Sequence, residues 1–454
     1  MNRRRSSTRL GTEPVLPLLF RLALPSIAGM ASQALYNVVD SIYVGHISKE
    51  ALSALTLAFP IQMVLIAIAV GTGVGATSLI SRSLGAGERD RAREVAEHAV
   101  LAGLFFGAAV AMAGVLFAVP VTRLFTQDPH LVAMTSSYIR IIMVGSAALF
   151  IPIILMGILR GEGNTFLPML AMSMGAAVNI GLDPLFIFGI WVFPALGVEG
   201  AAWATVLSRF LSGLFITASL LGGRGEVRMR PGSFRLRPGI LRELYRVGLP
   251  AMSMQLLASV MLAGGNLILA TFSTTAIAVF GIFFRLQAFI FMPVFGLGQG
   301  VMPITGYNYG AGEPGRMKQT VQYGMVAAFL FTLAGFMVFQ LIPRGLVTMF
   351  NRNPELVAMG VPALRRISLG FLFVGPTVIG VNVFQALGRG APSFLISVLR
   401  TVVLILPLMY LLGELFGLRT LWLAFPVSES VTFAITLSWL AVVLRGLFAV
   451  MRRR

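Results

Sequence analysis

Two aspartates stand in stretches otherwise apolar enough to lie inside a bilayer. Asp40 falls near the end of PSIAGMASQALYNVVDSIYV (residues 25–44). Asn37, Tyr36 and Gln33 precede it by three, four and seven positions, offsets that put four polar side chains on one helix face. Asp183 lies in MGAAVNIGLDPLFIFGIW, with Asn179 four positions earlier and so on the same face. A carboxylate at that depth is costly, so by default it faces a protein interior or a wet cavity and marks a pathway. Counted from helix ends near Val44 and Trp191, both acids fall in the outer half of the bilayer and can meet. Two carboxylates in a poorly hydrated pocket cannot both ionise cheaply unless a cation sits between them. The chemistry this implies is reversible binding of H⁺ or Na⁺ at Asp40 and Asp183, with Asn179 supplying a neutral oxygen to the metal. Two plainer readings stay open: Asp40 as a protonated tie between helices, and Asp183 as a helix-end acid beside the breaker Pro184.

The elements that must position these groups are membrane helices. Of 454 residues, 57% are hydrophobic and 11% charged, and the mean hydropathy is +0.87. Repeated apolar runs long enough to cross the hydrocarbon core predict an all-α polytopic membrane protein; alternating strand patterns are absent, which excludes a barrel. Spans are predicted near residues 17–44, 52–80, 96–121, 131–158, 166–191 and 196–222. After a basic linker at 222–239, six more follow near 245–270, 276–304, 320–343, 357–387, 391–413 and 420–448. The reading is therefore two six-helix bundles, residues 1–221 and 240–454, joined by a cytoplasmic linker and flanking a central cleft. The basic tail before the first span lacks the short apolar core and cleavage site of a signal peptide, so that span is expected to be retained.

The formal charge of +18 would suggest a nucleic-acid partner in a soluble protein. Here the arginines collect in short connections on one side by span parity, so they read as topology signals with both termini cytoplasmic, and no nucleic acid is expected. With no Cys and only three His, at 46, 98 and 130, disulfides, thiol chemistry and a histidine metal site are excluded. No nucleophile with its base and no metal cluster is present, which argues against an enzyme, and no cofactor beyond the coupling ion is expected.

The halves repeat one another. Aligning LFRLALP (19–25) with LYRVGLP (244–250) sets an offset of 225 residues, at which GTGVG (71–75) meets GLGQG (296–300) and GAGE (85–88) meets GAGE (310–313). Phe125, Pro129 and Leu131 to Met134 then meet identical residues from Phe350 to Met359. Six spans per copy is an even number, so this is a parallel repeat about an axis along the membrane normal, an arrangement suited to rocking between inward and outward openings. Pro25, inside the first span, removes a backbone hydrogen bond and is either a hinge or a static kink.

The doubled glycine-rich segments and GAGE turns, VDSIYVG after the first span, ILRGEGNT (158–165) and GVEGAAWAT (197–205) together resemble the MATE family of multidrug and toxic compound extrusion transporters. The resemblance covers nearly the whole chain. It implies a twelve-helix antiporter of the inner membrane, a monomer, exchanging H⁺ or Na⁺ for amphiphilic, usually cationic organic compounds. By that likeness Asp40, Asn179, Asp183 and, more weakly, Thr205 match the family's cation site, and Gln33, Tyr36, Asn37 and Tyr138 line or border its substrate cavity. The second half offers no acid on spans seven or ten, where Asp40 aligns with Gly265; this points to the DinF-like branch. A lipid-linked precursor flippase of related architecture is the rival reading and would need a cationic cavity, for which Arg209 and Arg285 are the available charges. Glu429 is read as helix packing or a lateral cavity contact.

Overall fold

The computed structural model describes residues 6–191, 193–229, 232 and 234–451, and is helical almost throughout. The first half contains α1 (Ser6–Thr12), α2 (Val15–Gly45), α3 (Lys49–Gly85), α4 (Arg89–Arg123), α5 (Pro129–Val144), α6 (Ala147–Gly161), α7 (Phe166–Phe188) and α8 (Val198–Ser219), extended by a π-helical turn Leu220–Arg224. The second contains α9 (Pro238–Ala270), α10 (Thr274–Gly310), α11 (Pro314–Leu341), α12 (Pro343–Thr348), α13 (Pro354–Ser368) and α14 (Phe371–Ala386). It closes with α15 (Gly390–Val398), a π-helical Leu399–Ile405, α16 (Leu406–Phe416), α17 (Leu418–Leu421) and α18 (Ala424–Met451).

Among the described residues ten helical segments are long and apolar enough to cross a membrane, and two bent pairs bring the number to twelve. Those pairs, α5 with α6 and α13 with α14, bend by 46° and 48°. They are the fourth and tenth spans, so the break is itself repeated. At the first of them the chain turns at Gly145 and Ser146, where the Ser146 hydroxyl donates to the Gly107 carbonyl at 2.9 Å. A hydropathy pattern sees only one continuous apolar run there, which is why the bend was not legible in the sequence.

Local chemistry at the helix starts follows the repeat. Ser48 caps α3 and Ser273 caps α10, each hydroxyl accepting from the third residue beyond it at 3.0 Å. Asp128 and Asn353 likewise cap α5 and α13, each ahead of a proline in the first turn.

The chain divides into two compact units: Ala28–Met252 with the residues up to Arg9, and Leu10–Ile27 with Ser253–Arg454. The beginnings of α2 and α9 thus belong to the opposite unit from the rest of their helices, and the glycine repeats give the reason. A Cβ on Gly71 would fall 2.6 Å from the Gly248 carbonyl, and one on Gly75 2.4 Å from that of Leu244. In the other unit a Cβ on Gly296 would fall 3.2 Å from the Ile27 amide, and one on Gly300 3.2 Å from the Leu19 carbonyl. Residues 244–252 therefore seat on α3, and their repeat mates 19–27 seat on α10, through backbone contacts that only glycine permits. Because the first seat is tighter, Gly75→Ala should cost about 1–3 kcal/mol of stability, typical of overpacking. Gly300→Ala, whose nearest neighbours stand at 3.2 Å and need give only a few tenths of an ångström, should cost clearly less; equal shifts in detergent thermal melts would contradict this packing.

Each unit has its own apolar core. In the first, Tyr138, Ile139, Ile142, Leu149 and Ile187 pack with Ala58, Leu65 and Ala201. In the second, an aromatic cluster of Phe280, Phe283, Phe291, Phe371, Trp422 and Phe425 fills the interior. Gly265, the repeat mate of Asp40, lies against the Phe280 ring, so that position is packed solid.

The described part of the basic linker is fastened to the first unit. The amides of Glu226 and Val227 donate to the Glu162 carboxylate at 2.7 and 2.9 Å, just past the end of α6. The Arg237 amide donates to His98 Nε2 at 2.8 Å, and its guanidinium to Glu94 at 2.9 Å. Burial pushes the Glu162 carboxyl up to about 7, against the two amides that favour its anion. The folded state thus holds this proton more tightly than the unfolded chain, where the carboxyl titrates near 4.5. Its contribution to stability is full below that pH and is lost as pH rises to about 7. Glu162→Gln should flatten the melting temperature across this window; an unchanged slope would remove Glu162 as its source.

Candidate functional site

The polar face foreseen on α2 lines a cavity of about 610 Å³ inside the first unit. Gln33, Tyr36, Asn37 and Asp40 line it from α2, Tyr138 from α5 and Asn179 from α7. Its remaining wall is mostly apolar and includes Phe59, Met63, Leu149, Ile153, Met156 and Met172. The offsets along α2 bring its four residues together because the helix is continuous through Pro25 to Gly45.

Behind Asn179 sits Asp183. The helix does not end at Pro184 but continues to Phe188, so Asp183 is an interior residue of α7, 0% exposed, and Asn179 is 1% exposed. Pro184 withholds an amide from the helix at this point, which is tolerated where neighbouring groups replace the lost bond. Asn179 Nδ2 donates to Asp183 Oδ1 at 3.3 Å, as the four-residue spacing requires. Asp40 and Asp183 lie close enough for their charges to act on each other.

Three acceptor oxygens here have no donor among the described residues: Asp40 Oδ1, Asn179 Oδ1 and Asp183 Oδ2. Buried acceptors are normally paired, so three in one pocket form a set that a proton or a monovalent cation would satisfy. Two carboxylates and a neutral amide oxygen are hard donors of the type that suits Na⁺ and equally a shared proton. No cluster of three or more His, Cys, Asp or Glu side chains forms among the described residues, so the set relies on the amide.

The remaining assignments divide. Tyr138 is 3% exposed and its hydroxyl accepts from Gln62 Nε2 at 2.8 Å, which fixes the ring in the cavity wall. Thr205 is buried on α8 but neither lines the cavity nor hydrogen-bonds to either acid. Pro25 lies within α2 two residues before the unit boundary. Of the methionines, Met156 and Met172 line the cavity, whereas Met252 packs on Gly71 and Met254 accepts from Gln385.

Two of the cavity's polar groups, Gln62 and Arg160, were not foreseen, and Arg209 was named only under the flippase reading. Gln62 lies on α3 in an apolar run with no acid nearby to draw notice. Arg209 donates from Nη2 to the Tyr36 hydroxyl at 3.4 Å, and its charge acts on Asp40. Arg160 lines the cavity from the last turn of α6, where its position had the look of a topology signal. Arg285, by contrast, is exposed on α10. Glu429 is 3% exposed and takes two donors from Arg400, at 2.7 and 2.5 Å, while the neighbouring Ser428 hydroxyl donates to the Arg400 carbonyl. It is a packing residue of the second unit.

The MatE family model matches residues 25–185 and 250–411, both repeats. The multidrug export protein MepA of Staphylococcus haemolyticus is 26% identical over 418 residues, covering 92% of this chain and 91% of that protein. An FAD transporter of Shewanella oneidensis is 27% identical over 418 residues, covering 92% of each. Among solved structures, one described as MATE in the bent conformation matches with a TM-score of 0.93 at 28% identity over 99% of each chain. A MOP superfamily transporter from Pyrococcus furiosus, described as having a binding pocket of reverse polarity, matches with a TM-score of 0.91 at 28% identity, covering 97% of this chain and 98% of that one. With both halves of its internal repeat matched and ten to twelve helical segments among the described residues fit to cross a membrane, the chain belongs to the MatE family and is a multi-pass membrane transporter.

Proposed function

We propose that the protein is a cation-coupled antiporter that exports amphiphilic organic cations across the cytoplasmic membrane. The observation that carries this reading is a set of three oxygens without a donor among the described residues, on Asp40 and Asn179 in the wall of a largely apolar cavity and on Asp183 buried one helical turn beyond Asn179. An amphiphilic cation finds there an apolar surface for its body and negative charge for its head. H⁺ or Na⁺ competes for the same charge, so loading the acids removes the attraction that holds the drug. Transport then follows if ion and drug bind the outward-open and inward-open states with different affinity. Pro25 is the proposed hinge: loading Asp40 changes how α2 packs beyond it, where the missing backbone hydrogen bond lowers the cost of bending. Export by MepA supports the direction of transport. The likeness to multidrug export proteins favours this reading over a flippase for anionic lipid-linked precursors.

The test is ethidium efflux from proteoliposomes under a Na⁺ gradient alone and under a pH gradient alone. At least one gradient should drive it; efflux driven by neither would overturn ion coupling.

A further inference from the structure

The cavity also holds a positive charge that pairs with no carboxylate among the described residues. Arg160 lines the cavity, and its single hydrogen bond runs from Nη2 to the Met172 thioether at 3.9 Å, a weak acceptor. Its Nε is buried and has no partner, and no carboxylate among the described residues acts on its charge. Glu162, two residues on, is committed to the linker amides. A guanidinium carries five donors in a planar fork suited to phosphate or carboxylate, and here the fork faces a cavity while its buried Nε lacks an acceptor among the described residues. Arg160 is also set apart from the acids. Its contact Met172 lies seven residues before Asn179 on α7, about 10 Å along the axis.

We infer that Arg160 forms an anion subsite in this cavity, and that the protein takes amphiphiles carrying a phosphate or carboxylate head, alone or together with a cationic group. The inference rests on this cavity being the one used in transport. The wall between the two charged ends is lined by Leu149, Pro152, Ile153, Met156 and Met172, which suits an acyl or aromatic body. An amphiphile with opposite charges at its two ends would satisfy both sites at once, its amine near Asp40 and its anion on Arg160. A membrane lysolipid and a soluble phosphate compound share this head chemistry; the apolar wall favours the amphiphile.

The test compares dodecyl phosphate, dodecyltrimethylammonium and inorganic phosphate as ligands for the purified full-length protein and for Arg160→Met, which keeps the side-chain length and removes the charge. Dodecyl phosphate should bind the variant at least about tenfold more weakly, as loss of a charge-assisted bond implies. Dodecyltrimethylammonium should bind it equally or better, and Arg160→Lys should recover part of the loss. Equal dodecyl phosphate binding by wild type and Arg160→Met would overturn the subsite. Inorganic phosphate competing at the same concentration as dodecyl phosphate would overturn the amphiphile. Ethidium efflux measured on the same preparations keeps the two readings apart. If efflux fails in wild type while dodecyl phosphate binding still depends on Arg160, cation export falls and the subsite stands.

Discussion

Asp40→Asn should reduce gradient-driven ethidium efflux from proteoliposomes by about a hundredfold, the upper range of a coupling free energy between two ligands. The substitution is nearly isosteric and replaces a group that can cycle between charged and loaded with one fixed as neutral. In the proposed exchange efflux needs that cycle, because drug and ion would compete for the same negative charge. Asp183→Asn should behave alike, since its carboxylate lies within electrostatic reach of that of Asp40. Asn179→Ala removes a neutral oxygen and the 3.3 Å bond that orients Asp183, so a smaller loss of about tenfold is expected. Thermal melts in detergent should show all three folded. Full-rate efflux by Asp40→Asn would mean that the acid is a tie between helices and nothing more.

The second large effect is structural. Glu429→Ala should cost about 3–5 kcal/mol, because it strips the Arg400 guanidinium of its carboxylate inside the second unit. Glu429→Ala combined with Arg400→Met should regain most of that loss, since replacing both members of a buried pair by apolar groups is often neutral. The melting temperature in detergent reads both steps. Transport per folded molecule should be unchanged, which separates this pair from the coupling site. A single variant as stable as wild type would show that Glu429 holds nothing in place.

The helices, their number and the repeat were legible because hydropathy and a fixed offset are properties of sequence order. The face carrying Gln33, Tyr36, Asn37 and Asp40 was legible for the same reason: position along one helix fixes direction. So was the Asn179 and Asp183 pair. Arg160 was not, because a lone arginine near a helix end has the same sequence appearance whether it snorkels to water or turns inward. Gln62 was missed because its partner, Tyr138, is brought to it by packing between α3 and α5. The shared helices α2 and α9 were missed because the glycine contacts behind them pair residues far apart in the chain, such as Gly75 with Leu244. Nothing in the local sequence of either residue names the other.

Both acids and the amide act as one trap only if substrate and ion displace each other there. Adding a cationic substrate to the purified protein, in weakly buffered solution containing radiolabelled sodium, should release a proton or a bound sodium ion from the wild type. Asp40→Asn and Asp183→Asn should release neither. Undiminished release from both variants would show that the coupling ion is held somewhere else.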